Sequence, residues 1–223
     1  QKDSEIKRVH INVIIWKQPE MEGKCADTII KNTEHPYFLS LYDNRPNNIN
    51  LAKVWNKIVR NSFCKYICLM DPDAYVEKRW LKKMVQVFEN ENAGVIIPMT
   101  SPGGTKTFQE KGIDTKNPDQ KPYPISSSQY ASGYCFLFKK KVWEEIGKFD
   151  EDFYLFGQDS EWFERVRESD WKIYVHPQVL VHHGYEGDTS LSSKQAEREG
   201  RFHWEAEELY SGKLMVKKRM QRR

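Results

Sequence analysis

Apolar and polar positions along this chain follow two periods in alternation. Residues 9–16 (VHINVIIW) form a β-branched apolar run suited to a buried strand. Met21, Cys25 and Ile29 then recur at helical spacing, and Pro36 opens a second short strand over 37–42 that ends at Asp43 and Asn44. Leu51, Val54, Trp55, Ile58 and Val59 repeat at i, i+3, i+4, i+7 and i+8, which predicts an amphipathic helix with Asn50 as its N-cap. Residues 66–70 (YICLM) predict a third strand running straight into Asp71-Pro72-Asp73. Trp80, Leu81, Met84, Val85 and Phe88 form another helical stripe, and 94–98 (GVIIP) reads as the next buried strand.

The alternation breaks over 100–131, which is rich in Pro, Gly, Ser and Lys and has no period. A loop of that length inside a domain is usually functional, so it is expected to rim the site. Order returns with a strand over 134–138, a short helix at 142–146, a helix over 160–168 and a strand pair over 173–183. Period-two alternation puts Val179, Val181 and His183 on one face and His182 on the other. Strands alternating with helices build a mostly parallel sheet covered by helices, the α/β class. Residues 184–193 are polar and contain glycine, which predicts a mobile segment that orders over bound ligand. We expect one domain over 1–191 and a charged helical tail over 192–223.

Composition fits one domain: 223 residues at 39% hydrophobic suffice for one sizeable core and are few for two. The 35 Lys+Arg against 32 Asp+Glu leave a net charge of only +3, mostly interspersed, which argues against a nucleic-acid partner. No apolar run approaches the roughly 18 residues of a membrane span. The 4 cysteines (Cys25, Cys64, Cys68, Cys135) are too few for a disulfide framework, and three fall in apolar segments. Buried thiols and a cytoplasmic setting are expected. Cys64 and Cys68 have no second Cys or His pair nearby, which argues against zinc. The terminal KLMVKKRMQRR reads as a solvated end or as a contact for anionic lipid at the cytosolic face of a membrane.

Ligands of open α/β sheets collect beyond the C-terminal ends of the strands, and here those ends carry Asp43, Asp71 and Asp73. Two carboxylates one residue apart repel unless a divalent cation sits beside them, and hard oxygen ligands suit Mg2+ or Mn2+ bridged to a diphosphate. The same Asp-x-Asp is also common in turns, where the side chains cap backbone amides.

The run over 66–98 (YICLMDPDAYVEKRWLKKMVQVFENENAGVIIP) resembles the centre of the family 2 glycosyltransferases: strand, Asp-x-Asp, helix, strand ending in Pro. Upstream, Asp43-Asn44 and the later Asn50-Leu51-Ala52 with Asn56 look like that family's nucleotide-contacting strand end and Asn-rich helix start. Downstream, Ser132-Gly133, then Gly147-Lys148-Phe149-Asp150-Glu151, then Phe156 to Trp162 (FGQDSEW) and finally 177–183 follow in the family's order. The resemblance covers roughly 9–183. It departs at Gln158, where the family usually has Glu, and at Glu161, where it often has Asp.

This resemblance implies a Rossmann-like GT-A fold with a mixed, mostly parallel sheet flanked by helices. It also implies an inverting transfer of a sugar from a nucleotide diphosphate donor, by default a UDP-sugar, to an acceptor hydroxyl on a carbohydrate, a lipid-linked glycan or a protein. Asp159 matches the family's general base, with a helix N-cap as the alternative. Asp73 and His183 match metal-binding positions, with Asp71 at the ribose or the metal; a core histidine is the alternative for His183, and His182 the fallback ligand. Asp43, Asn44 and Asn56 are expected at the nucleotide, with Trp16 stacking beside them. Ser132 and Gly133 would line the acceptor side, and Trp162 would be either a sugar platform or core. Mn2+ or Mg2+ is the expected cofactor. A non-catalytic nucleotide-sugar or glycan-binding domain and a sugar nucleotidyltransferase are the alternatives. The latter normally has a Gly-rich triphosphate loop after the first strand, where this chain has WKQPEMEGK.

Overall fold

A computed structural model of the chain describes residues 8–15, 19–46, 49–100, 119–125, 131–153 and 156–184. Trp16, most of the 100–131 stretch, 185–193 and the 192–223 tail lie outside them.

Strand β1 (Val9–Ile15) pairs in parallel with β2 (Tyr37–Asp43) on one side and β3 (Tyr66–Met70) on the other. Parallel neighbours need crossovers, supplied here by α1 (Pro19–Asn32) and α2 (Leu51–Asn61). Asn50 caps α2 as its sequence predicts, its side chain accepting the Lys53 amide. After β3 come β4 (Ala74–Val76), α3 (Trp80–Gln86), a short 3-10 turn and β5 (Ala93–Thr100). The remaining elements are β6 (Tyr123–Pro124), β7 (Cys135–Lys139), α4 (Lys140–Ile146), α5 (Gln158–Arg167) and β8 (Lys172–His183).

The sheet order is β2-β1-β3-β7-β5-β8-β4, with β6 alongside β8. β7 is antiparallel to both β3 and β5, while β5 and β8 are parallel, so β2, β1, β3, β5 and β8 all point the same way. The sheet is therefore mixed and mostly co-directional.

Period-two alternation sorts side chains into two core layers. Tyr66, Cys68 and Met70 join Cys25 and Ile29 of α1 and Trp80, Leu81 and Met84 of α3 on one face. Ile67, Leu69, Phe136 and Phe138 face α2, α4 and α5 on the other. Each fully buried side chain of this kind contributes about 1.5–3 kcal/mol of apolar transfer. All four cysteines are buried and free, and Cys64 and Cys68 belong to opposite layers.

Two details depart from the sequence reading. The expected strand pair over 173–183 is one strand whose register with β5 breaks: His176 faces Pro98, and the next pair is Leu180 with Met99. Proline has no N–H for the ladder, which places the bulge. Strand β4 is too short for any periodic signal, yet it pairs antiparallel with the end of β8. No helix among the described residues is long and apolar enough to cross a membrane.

Candidate active site

The site grows from the C-terminal ends of β3 and β8. Leaving Met70, the chain turns through Asp71 and Asp73, with the Ala74 amide bonded to the Asp71 carbonyl at 3.2 Å. The Asp71 amide is in turn held by the Tyr134 carbonyl at 2.8 Å. β4 then runs back along β8 with Ala74 opposite His183, and the Gly184 amide donates to the Asp73 carbonyl at 2.9 Å. This ladder sets the His183 imidazole beside both carboxylates: Nε2 lies 3.5 Å from Asp73 Oδ1 and 3.7 Å from Asp71 Oδ2. Such separations are long for hydrogen bonds but close enough for one ion to be shared. A ligand atom from each of the three residues lies within 4.8 Å of the other two.

Burial and charge make this cluster unstable as three independent groups. Burial, opposed by His183 and reinforced by the charge of Asp73, raises the Asp71 carboxyl to about 6. Burial also disfavours charge on His183, but Asp71 and Asp73 outweigh it and hold the imidazole at about 9. His183 Nδ1 is buried with no hydrogen-bond partner among the described residues. Two carboxylates and one imidazole form an oxygen-rich donor set that suits Mn2+ or Mg2+. The donor set and its spacing thus fit a divalent cation.

Asp159 lies at the second position of α5, after Gly157, whose φ of 86° is open to glycine and strained for other residues. Its Oδ2 accepts the Gly133 amide at 2.8 Å. The approach is so close that a Cβ at position 133 would stand 2.5 Å from that oxygen, which accounts for glycine there. Burial raises the Asp159 carboxyl, against the backbone amides of Ser160 and Gly133 that favour its anion. The charge of Asp159 also acts on Asp71, so the two belong to one electrostatic unit. Glu161 is otherwise engaged, with both oxygens on Arg165 at 2.8 and 2.7 Å. Next to Asp159, Gln158 is 3% exposed and its Oε1 has no hydrogen-bond partner among the described residues.

The other sequence candidates separate. Asp43 is exposed at the end of β2 and bound by Arg45, whose hydrogen bonds hold its carboxyl below the usual range. Ser132 is half-buried between buried Ala131 and Gly133. His182 faces away from the cluster, with Nε2 3.0 Å from Glu77, and does not serve as an alternative ligand. Three further candidates are engaged by the scaffold. Asn44 is spent on its own loop, its amide donating to the Ile49 carbonyl and its oxygen accepting the Ile49 amide. Asn56 is 1% exposed and its side chain is fully engaged by Phe149, Trp143 and Glu151. Trp162 is fully buried among Phe136, Phe138 and Phe149, with Nε1 donating to the Gly147 carbonyl, so it has no face for a sugar. Each had the residue type of a contact, but packing had already used its polar atoms or its ring.

Residues 27–147, more than half of the chain, match the family described as Glycosyl transferase family 2. The chain belongs to glycosyl transferase family 2. The family match takes in Asp71, Asp73 and Gly133 and ends before Asp159 and His183, which the fold brings to them. The family 2 domain is 22% identical over 139 residues to the low-salt glycan biosynthesis hexosyltransferase Agl10 of Haloferax volcanii, covering 57% of this chain and 43% of that protein. Its fold is that of the crystal structure of GalNAc-T7 with UDP, GalNAc and Mn2+: TM-score 0.60 at 12% identity, over 81% of this chain and 44% of the other. The chain spans less than half the length of either relative.

Proposed function

We propose that this family 2 domain transfers a sugar from a nucleoside diphosphate donor, a UDP-sugar by preference, to an acceptor hydroxyl with inversion at the anomeric carbon. The observation that carries this reading is the convergence of Asp71, Asp73 and His183 within 4.8 Å, in one electrostatic unit with the half-buried Asp159. Asp71, Asp73 and His183 are the residues that would hold Mn2+ or Mg2+, which supplies positive charge beside the donor diphosphate.

Asp159 is the general base. Its Oδ2 accepts the Gly133 amide, and the carboxylate takes the acceptor proton as the hydroxyl oxygen bonds to the anomeric carbon and the bond to the nucleoside diphosphate breaks. Burial raises the Asp159 carboxyl, which makes it a stronger base than an exposed aspartate. Glu161 is a poorer base because Arg165 occupies both of its oxygens. Gly133 and Ser132 border the acceptor side. The acceptor is a carbohydrate, free or carried on a lipid or a protein. The UDP and Mn2+ bound to GalNAc-T7, a protein of the same fold, support the donor and metal choice.

A thermal-shift panel of nucleoside diphosphates with and without Mn2+ tests the reading. A nucleotide at about 100 times its dissociation constant adds roughly 2.7 kcal/mol of stability. A shift with UDP that grows with Mn2+ supports the proposal, and a metal-independent response across the panel counts against it.

A further inference from the structure

A metal-binding histidine normally donates its second ring N–H to a carboxylate or a carbonyl, which fixes its tautomer and ring plane. His183 has no such partner: Nδ1 is buried and unbonded among the described residues. What it has instead is Tyr134. The phenol ring, only 4% exposed, lies against the imidazole with centroids 4.4 Å apart and planes inclined by 19°. The backbone of the same residue carries the carbonyl that holds the Asp71 amide, and Gly133 just before it holds Asp159.

We infer that Tyr134 is a positioning residue for the metal site, its ring setting the plane of the His183 imidazole in place of the missing hydrogen bond so that Nε2 faces Asp71 and Asp73. An imidazole rotating about its Cβ–Cγ bond sweeps Nε2 away from the carboxylates, and no hydrogen bond at Nδ1 opposes that rotation. A flat ring packed face to face opposes it by contact alone. The arrangement also divides labour within one residue. The Tyr134 carbonyl fixes the first carboxylate whatever the side chain is, and the ring fixes the third ligand. The Tyr134 hydroxyl has no part in this device, so phenylalanine should serve equally well. The inference rests on the metal reading given above.

Mn2+ titration followed by electron paramagnetic resonance tests it in the full chain, for the wild type, Tyr134→Phe and Tyr134→Leu, each also combined with His183→Ala. The expected Mn2+ dissociation constant is unchanged within about twofold for Tyr134→Phe. For Tyr134→Leu it rises by about tenfold to a hundredfold, the usual cost of losing an outer support of a metal ligand. In the His183→Ala background, Tyr134→Leu should add nothing, because its effect passes through the imidazole. A general loosening of the core would weaken binding in both backgrounds and would overturn the inference. Proton NMR of the metal-free protein supplies a second readout: the His183 ring protons should sit upfield in wild type and Tyr134→Phe, and lose that shift in Tyr134→Leu. Wild-type protein that takes up no Mn2+ fails the metal reading and this inference together. Mn2+ binding that survives Tyr134→Leu fails this inference alone.

Discussion

Two regions of the molecule drew the same attention as sequence, and the fold treats them in opposite ways. At the ends of β3 and β8, Asp71, Asp73 and His183 face one another without direct hydrogen bonds, and Nδ1 of His183 is left unbonded. Where α2 meets α4 and the turn that follows it, Asn56 has both donors and both acceptor sites filled. Trp162 there is sealed by aromatic rings. A polar residue whose bonding capacity is used up by its own backbone is part of the scaffold. One buried with capacity to spare, among like charges, is poised for a ligand.

The sharpest way to break this contrast is to neutralise the proposed base. Asp159→Asn keeps the size of the side chain and an oxygen for the Gly133 amide. It is expected to bind donor as before while transfer falls by roughly 10²–10⁴-fold. Glu161→Gln, which loosens only the pair with Arg165, should keep most transfer. Initial rates with nucleotide affinity measured alongside decide the matter, and the reverse pattern would move the base to Glu161. Next in size is Asp73→Ala, which removes one of the carboxylates proposed to hold the metal. Calorimetry with UDP is expected to show the Mn2+-dependent part of binding weakened by more than about a hundredfold, beyond what outer-shell changes cost, with the fold retained.

The scaffold side of the contrast should respond in the other currency. Asn56→Ala leaves the buried Phe149 amide and carbonyl unpartnered and should lower stability in urea by roughly 1–3 kcal/mol. Donor affinity per folded molecule should not change. A selective loss of UDP binding would return Asn56 to the nucleotide site.

A pH-dependent effect compares two histidines of β8. His183 is held protonated by its carboxylates at about 9, whereas burial, helped by Lys83, pushes His176 down to about 4. A histidine with a lowered folded-state value contributes stability that is complete above its unfolded value of about 6.5 and is lost as pH falls toward 4. His176 should therefore add a slope of at most about 1.4 kcal/mol per pH unit across that window. His176→Gln should flatten the urea-derived stability curve between pH 6.5 and 4, and an unchanged curve would show that His176 protonates freely in the folded protein.

The sequence by itself determined the elements and where chemistry had to begin. The short, continuous apolar run over 66–70 suits a strand buried on both faces, and the stripe from Leu51 at i, i+3 and i+4 specifies a helix because that backbone places those apolar residues on one face. Asp71 and Asp73 had to emerge where the buried strand ended, and the alternation of strands and helices carried the α/β class. Tertiary structure alone decided which candidates meet. β4 is three residues long and leaves no trace in periodicity, yet its ladder with β8 brings His183, 110 positions beyond Asp73 in the sequence (183 minus 73), to within 3.5 Å of that carboxylate. β7 enters antiparallel between β3 and β5 because strand partners are chosen by packing over the whole sheet. The same packing turned Asn44, Asn56 and Trp162 inward and set Tyr134 against His183. Residue type states what a side chain can bond to, and only the assembled chain decides whether that capacity has already been used.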